Sequence, residues 1–201
     1  MSKKIGHEEA IRIAVEKLQN IDLDTRCANL GLAKPRNGII QLRAFSTDMS
    51  LRQSDLQLFA KGSDEPVKSI DRILVLHYLL CDLPVHVTDD LISFRQLTGG
   101  QFYWEPFVSR SVRPLVRQIG NNLELLRKNL DKFDWEPVSL GDFGARIHTI
   151  GKLYLTLVYR LGDDEFPAAA DLLFDACIKR VYNAEDAAVL ANRICMELKN
   201  G

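Results

Sequence analysis

The sequence predicts an α+β fold in a single domain, with small antiparallel sheets packed with about six helices. Three observations carry this. Apolar residues recur at helical spacing near the start and again at Ser69 to Leu80. Between them, from Gly38 to Lys61, the pattern changes to short runs split by turn residues. Later, Ala145 to Ile150 and Leu153 to Arg160 alternate around Gly151-Lys152, the signature of a hairpin.

Taken in order, His7 to Asn20 places Ile11, Ala14, Val15 and Leu18 on one face of an amphipathic helix. The runs Ile39 to Phe45, Met49 to Gln53 and Leu56 to Ala60 read as an antiparallel meander. Ser69 is the expected cap of a helix apolar nearly all round, and Pro84 stands beyond its end. A strand at Leu91 to Gln96 is expected to end at Gly99-Gly100, followed by two short helices because Pro106 and Pro114 break the pattern. Another helix is expected from Asn121, then an exposed loop around Pro137, Gly141 and Gly144. After the hairpin, two helices are expected to close the chain, Pro167 to Tyr182 and Ala184 to Lys199.

With 201 residues, 46% hydrophobic and 26% charged, the composition is that of a globular domain able to bury one substantial core, not of a disordered or fibrous chain. A net charge of -1 supplies no general basic field, so nucleic acid and membrane are not expected partners. Lys3 and Lys4 are followed by His7, Glu8 and Glu9 instead of an apolar run, which predicts a cytoplasmic chain without a signal peptide. Cys27, Cys81, Cys177 and Cys195 are scattered and form no C-x-x-C pair, so reduced, buried thiols are expected.

Two dense motifs hold the candidate chemistry. The first, Ile92 to Gly100, runs from a strand through Gly99-Gly100 into a helix, where backbone N–H groups can meet an anion. It contains Ser93 and Arg95, and it leads to Arg110, Arg113 and Arg117 at helical spacing. The same glycines also serve a turn for purely geometric reasons, and they match neither phosphate-binding nor dinucleotide-binding fingerprints. Phe102, Tyr103, Trp104 and Phe107 crowd this segment, and core packing is expected of them over a stacking platform.

The second motif, Gly162 to Asp175, sets Asp163, Asp164 and Glu165 before Pro167, the arrangement of acids at a helix start. Asp171 and Asp175, four apart on that expected helix, would repel unless compensated. Salt bridges to Arg95 or Arg110 are the plain account; a hard metal or a catalytic carboxylate is the alternative. His77 stands in the apolar helix one turn before Cys81, where a hydrogen-bonded core histidine is expected, since two ligands do not make a zinc site. The candidate ligand-binding set is therefore Ser93, Arg95, Gly99, Gly100, Arg110, Asp163, Asp164, Glu165, Asp175 and His77, with no metal assigned.

His77-Tyr78-Leu79-Leu80, Ile92-Ser93-Phe94-Arg95 through Gly99-Gly100, Arg110 with Pro114-Leu115, and Gly162 to Asp175 together resemble a family of uncharacterised domains of unknown function from anaerobic bacteria and archaea. Some members carry an added cysteine-rich iron-sulfur segment. The resemblance spans roughly Ser69 to Leu198. This chain lacks the clustered cysteines and has Leu91 where the family pattern has tryptophan. No activity follows from the resemblance. It implies a setting in anaerobic metabolism with a redox or corrinoid protein as partner, onto which the chain would dock as a non-enzymatic module; the arginines, glycines and acids themselves point instead to a small anionic ligand.

Overall fold

The computed structural model describes residues 2–200 and is a mixed α+β architecture whose strands pair antiparallel. The chain packs as two compact units, residues 1–86 with 150–152, and residues 87–149 with 153–201. No helix among the described residues is long and apolar enough to cross a membrane.

The first unit begins with helix α1 (Ser2–Leu18) and α2 (Leu23–Asn29), whose first turn is capped by the Asp22 carboxylate accepting from Asp24 N–H at 3.0 Å. The meander follows as expected: β1 (Ile39–Ala44), β2 (Thr47–Arg52) and β3 (Gln57–Ala60), with Ile40 opposite Leu51 and Leu51 opposite Leu58. Alternation decides the faces. Ile40, Leu42 and Ala44 turn into the core while Gln41 and Arg43 stay exposed.

Helix α3 (Ser69–Leu80) buries Ile73, Leu74, Val75, Leu76, Tyr78 and Leu79 and packs on α1. Its cap position is Lys68, one residue before the expected Ser69, and no side chain caps it. The α3 ends are tied down by arginines instead. Arg72 donates to the Leu56 and Asp55 carbonyls, and Arg26 donates to the Leu80 carbonyl at 2.8 Å, where the last turn leaves acceptors unpaired.

At the centre of this unit the buried Tyr78 hydroxyl donates to the Leu30 carbonyl and accepts from the Lys152 N–H, each at 3.1 Å. Gly151 passes so close that a Cβ there would lie 2.3 Å from that hydroxyl, and its φ of +55° already favours glycine. One phenol thus links α2, α3 and residues 150–152.

The second unit opens with β4 (Leu91–Ser93), shorter than the expected Leu91 to Gln96 because Phe94–Gln96 closes into a 3-10 turn. Helices α4 (Trp104–Arg110) and α5 (Val112–Ile119) are the two short helices expected, and α6 (Leu123–Leu130) begins after Asn122, whose side chain accepts from Leu125 N–H. The segment expected as an exposed loop contains a strand, β5 (Trp135–Val138), paired with β6 (Phe143–Ile150). Gly144 therefore sits inside a strand.

The largest correction falls after β7 (Leu153–Arg160). Pro167 to Tyr182 is no helix: Ala169–Asp175 forms β8, and only Ile178–Val181 makes a helical turn, α7. Helix α8 (Ala184–Asn200) closes the fold as expected. Strand β8 lies between β7 and β4, with Leu157 opposite Leu172 and Ile92 opposite Phe174. Paired on both sides, a short Ala-rich run with moderate helix propensity becomes a central strand. Its Leu172 and Phe174 turn to the core, where Phe107 of α4 stacks on Phe94 at 4.1 Å and meets Phe174 at 6.5 Å. These divisions leave slightly more helices than the six expected.

Replacing Tyr78 with phenylalanine leaves the Leu30 carbonyl and the Lys152 amide without their buried partner. Tyr78→Phe is expected to cost about 2 kcal/mol, read by urea denaturation as a lower midpoint at unchanged m. A cost under roughly 0.5 kcal/mol would show that the phenol is not the link described.

Candidate functional site

The two motifs meet as neighbouring strands. β4 hydrogen-bonds along residues 173–175 of β8, with Leu91 opposite Asp175 and Ser93 opposite Leu173. The acids Asp163, Asp164 and Glu165 precede the other end of β8, where Ala169 pairs with Arg160. Six residue steps of strand, roughly 20 Å, separate that end from Asp175. The acidic motif is therefore split, and its parts do different work.

Asp163 closes its own loop. Its carboxylate accepts from Glu165 N–H at 2.9 Å and Phe166 N–H at 2.7 Å, and these hydrogen bonds, Phe166 first, hold its pKa below the ordinary carboxylate value. Asn121 fixes the base of the loop through a reciprocal pair with the Gly162 backbone, 2.8 and 2.9 Å. Asp164 and Glu165 project outward, exposed, with no ion pair among the described residues. Asp171 pairs with Arg160 across the β7–β8 ladder at 2.7 Å. The salt bridges expected to Arg95 or Arg110 do not form among the described residues: Asp171 is taken by Arg160, and Asp163 and Asp175 accept backbone amides.

Asp175 is the opposite case, buried with 3% of its surface exposed. It faces no cation. Instead its carboxylate accepts from Thr88 N–H at 2.9 Å, Thr88 Oγ1 at 2.8 Å, Asp89 N–H at 2.8 Å and Cys177 N–H at 2.9 Å. Burial raises its pKa, but the hydrogen bonds from Cys177, Thr88 and Asp89 outweigh it, so the net shift is downward. The Cys177 thiol is pushed up to about 12 by burial and by its neighbour Asp175, so it stays protonated at neutral pH. Asp175 is a structural clamp that ties residues 88–89 to the end of β8.

That clamp feeds both sides of a cleft. Upstream the chain passes through β4 to the 94–96 turn, where Gln96 Oε1 accepts from Ser93 N–H at 2.8 Å; downstream it enters α7, which carries Lys179. The cleft, about 500 Å³, is lined by Arg95, Thr98, Gly99, Gln101, Phe102 and Lys179, with Gln96 and Leu97. Among the described residues its wall contains two cations and no carboxylate. The Arg95 guanidinium lies 4.3 Å from the Trp104 ring centre, and neither Arg95 nor Lys179 makes an ion pair among the described residues.

The glycines of the first motif have structural roles here. Gly99 adopts φ +81°, and a Cβ on Gly100 would sit 2.0 Å from the Phe94 carbonyl oxygen, so the chain can return over the 3-10 turn only without side chains. The Gly100 N–H is taken by the Leu97 carbonyl at 2.9 Å. Of the four aromatic residues, Phe107 is core as expected and Trp104 is half-buried. Phe102 and Tyr103 are 88% and 63% exposed, against the expectation of packing.

Arg110 ends α4, exposed and outside the cleft lining, and Arg113 pairs with Glu105 at 3.0 Å. His77 is half-buried on α3 in the first unit, while the other candidates belong to the second. A larger open depression of about 810 Å³ covers β1–β3, but its cations have acidic partners: Arg43 with Asp48 at 2.8 Å, Lys61 with Asp48 at 3.4 Å, and Arg52 with Asp55 at 2.7 Å. No group of three or more His, Cys, Asp or Glu side chains that could hold a metal ion occurs among the described residues. All four cysteines are buried, and none forms a disulfide. Lys179 and Thr88 are not legible in the sequence as site residues, since nothing in their local pattern marks them.

The fold and cleft define a mixed α+β protein with a small cationic depression beside a 3-10 turn. Residues 22–197 match the domain of unknown function DUF3786, and the chain belongs to that family. No curated protein and no solved structure matches it.

The clamp makes a pH prediction. Because the folded pKa of Asp175 lies below its unfolded value near 3.9, its contribution is complete well above pH 4 and is lost as pH falls through the folded pKa. Asp175→Asn is expected to cost about 2–3 kcal/mol at pH 7, and the gap to wild type in urea denaturation should narrow below pH 4. A gap independent of pH would mean that the ionised carboxylate is not what holds residues 88–89.

Proposed function

We propose that the cleft beside the 94–96 turn binds a small anionic ligand, with Arg95 and Lys179 as the anion contacts. The observation that carries this reading is the pairing of two cations with no carboxylate in the surrounding wall. Arg12, Arg52, Arg113 and Arg160, by contrast, sit on acidic partners. Arginine offers a fixed fork to an oxyanion, and lysine adds a mobile point charge from the facing element. Asp175 acts here as a positioning residue, because the segments on either side of its clamp carry the two cations. A setting in anaerobic metabolism, implied by the resemblance to domains from anaerobic bacteria and archaea, is part of this proposal.

A second reading is a non-enzymatic module that docks onto a redox or corrinoid metalloprotein. The exposed rings of Phe102 and Tyr103 beside the cleft favour it, since large apolar groups left in water mark contact surfaces.

Thermal unfolding with inorganic phosphate, pyrophosphate and acetate tests the first reading. A ligand at 100-fold its Kd adds about 2.7 kcal/mol, a rise in Tm of roughly 5–10 °C. Arg95→Gln and Lys179→Gln are each expected to abolish the rise measured against their own ligand-free baselines, while Arg110→Gln retains it. No response to any anion, or a response surviving in both cleft variants, would overturn the reading.

A further inference from the structure

We propose that the ligand of this cleft is an aromatic phosphate monoester of nucleotide size, its phosphate between Arg95 and Lys179 and its ring stacked on Phe102; this rests on the anion-binding reading of the same cleft. Three observations narrow the ligand class.

Charge comes first. Arg95 and Lys179 are both without ion pairs among the described residues, and a phosphate monoester near -2 balances two cations. A monocarboxylate leaves one cation uncompensated, and a triphosphate exceeds what the wall can neutralise.

Size is the second. A cleft of about 500 Å³ lies in the range of sites for whole small molecules, roughly 300–1,000 Å³, and inorganic phosphate would leave most of it to water.

The third is the ring. Phe102 lines the cleft with 88% of its surface exposed, and none of the described residues stacks on it. Its neighbours show what the local packing can absorb: Phe107 stacks on Phe94, and Trp104 lies beneath Arg95. Phe102 is left out of both arrangements. An uncovered ring next to two cations suits a planar ligand carrying a phosphate, because stacking on an aromatic side chain accepts any flat π-face. Thr98 and Gln101 add a hydroxyl and an amide at the same wall for the polar groups between ring and phosphate.

Isothermal titration of the full chain with AMP, FMN and ribose 5-phosphate tests the inference. At least one of AMP and FMN is expected to bind 10-fold or more tighter than ribose 5-phosphate, which carries the phosphate without an aromatic ring. Phe102→Ala is expected to weaken that ligand roughly 10- to 100-fold and to leave ribose 5-phosphate unchanged, while Phe102→Tyr retains wild-type affinity. If ribose 5-phosphate binds as well as both aromatic phosphates, or if Phe102→Ala changes nothing, the aromatic assignment is overturned and anion binding stands. If none of the three binds, and inorganic phosphate does not either, both readings fail together.

Discussion

A buried carboxylate without a cation must find its compensation in hydrogen bonds, and in this protein that constraint falls on Asp175. Its oxygens collect the Thr88 and Asp89 amides, the Thr88 hydroxyl and the Cys177 amide. The donors come from the residues just before β4 and from the turn into α7. One side chain therefore fixes how β4 approaches β8 and where α7 begins. Removing the charge leaves several donors pointing at an acceptor too weak to hold them.

The consequences run outward along the chain in both directions. From Thr88 the path is short to Leu91, to the 3-10 turn and to Arg95; from Cys177 it is two residues to Lys179. Both cations of the cleft thus hang from the same anchor, on separate segments that the anchor brings together. Gly99 and Gly100 let the chain fold back over the Phe94 carbonyl, which closes the cleft on the side of Phe102. The acids expected to neutralise the pair are held elsewhere, Asp171 on Arg160 and Asp163 on its own loop. A cationic pair without an acid nearby is a product of strand topology.

Local pattern is a good guide wherever one element settles its own fate. The meander between Gly38 and Lys61, helix α3, the break of the Trp104 to Ile119 region into two helices, and the β6–β7 hairpin are all legible, because alternation, apolar periodicity and turn residues agree there. Residues Pro167 to Tyr182 mislead for a physical reason. Proline followed by three alanines and an acidic-apolar run satisfies helix propensity, and a strand of seven residues gives too few alternations to contradict it. Pairing with β7 and β4 overrides the local preference.

The site divides along the same line. Residue type and spacing are local properties, and they suffice to set Arg95 beside a glycine turn, to put an acidic run before an apolar segment, and to mark these two motifs as the densest chemistry in the chain. Which charges meet follows from the folding of the chain in space. It turned Asp175 inward onto backbone amides, gave Asp171 to Arg160, moved Asp163 to Glu165 to the far end of β8, and set Lys179 in the same cleft wall as Arg95. Electrostatic partnership depends on distance through space, and here that distance is set by the antiparallel order β7-β8-β4, which no stretch of sequence encodes alone.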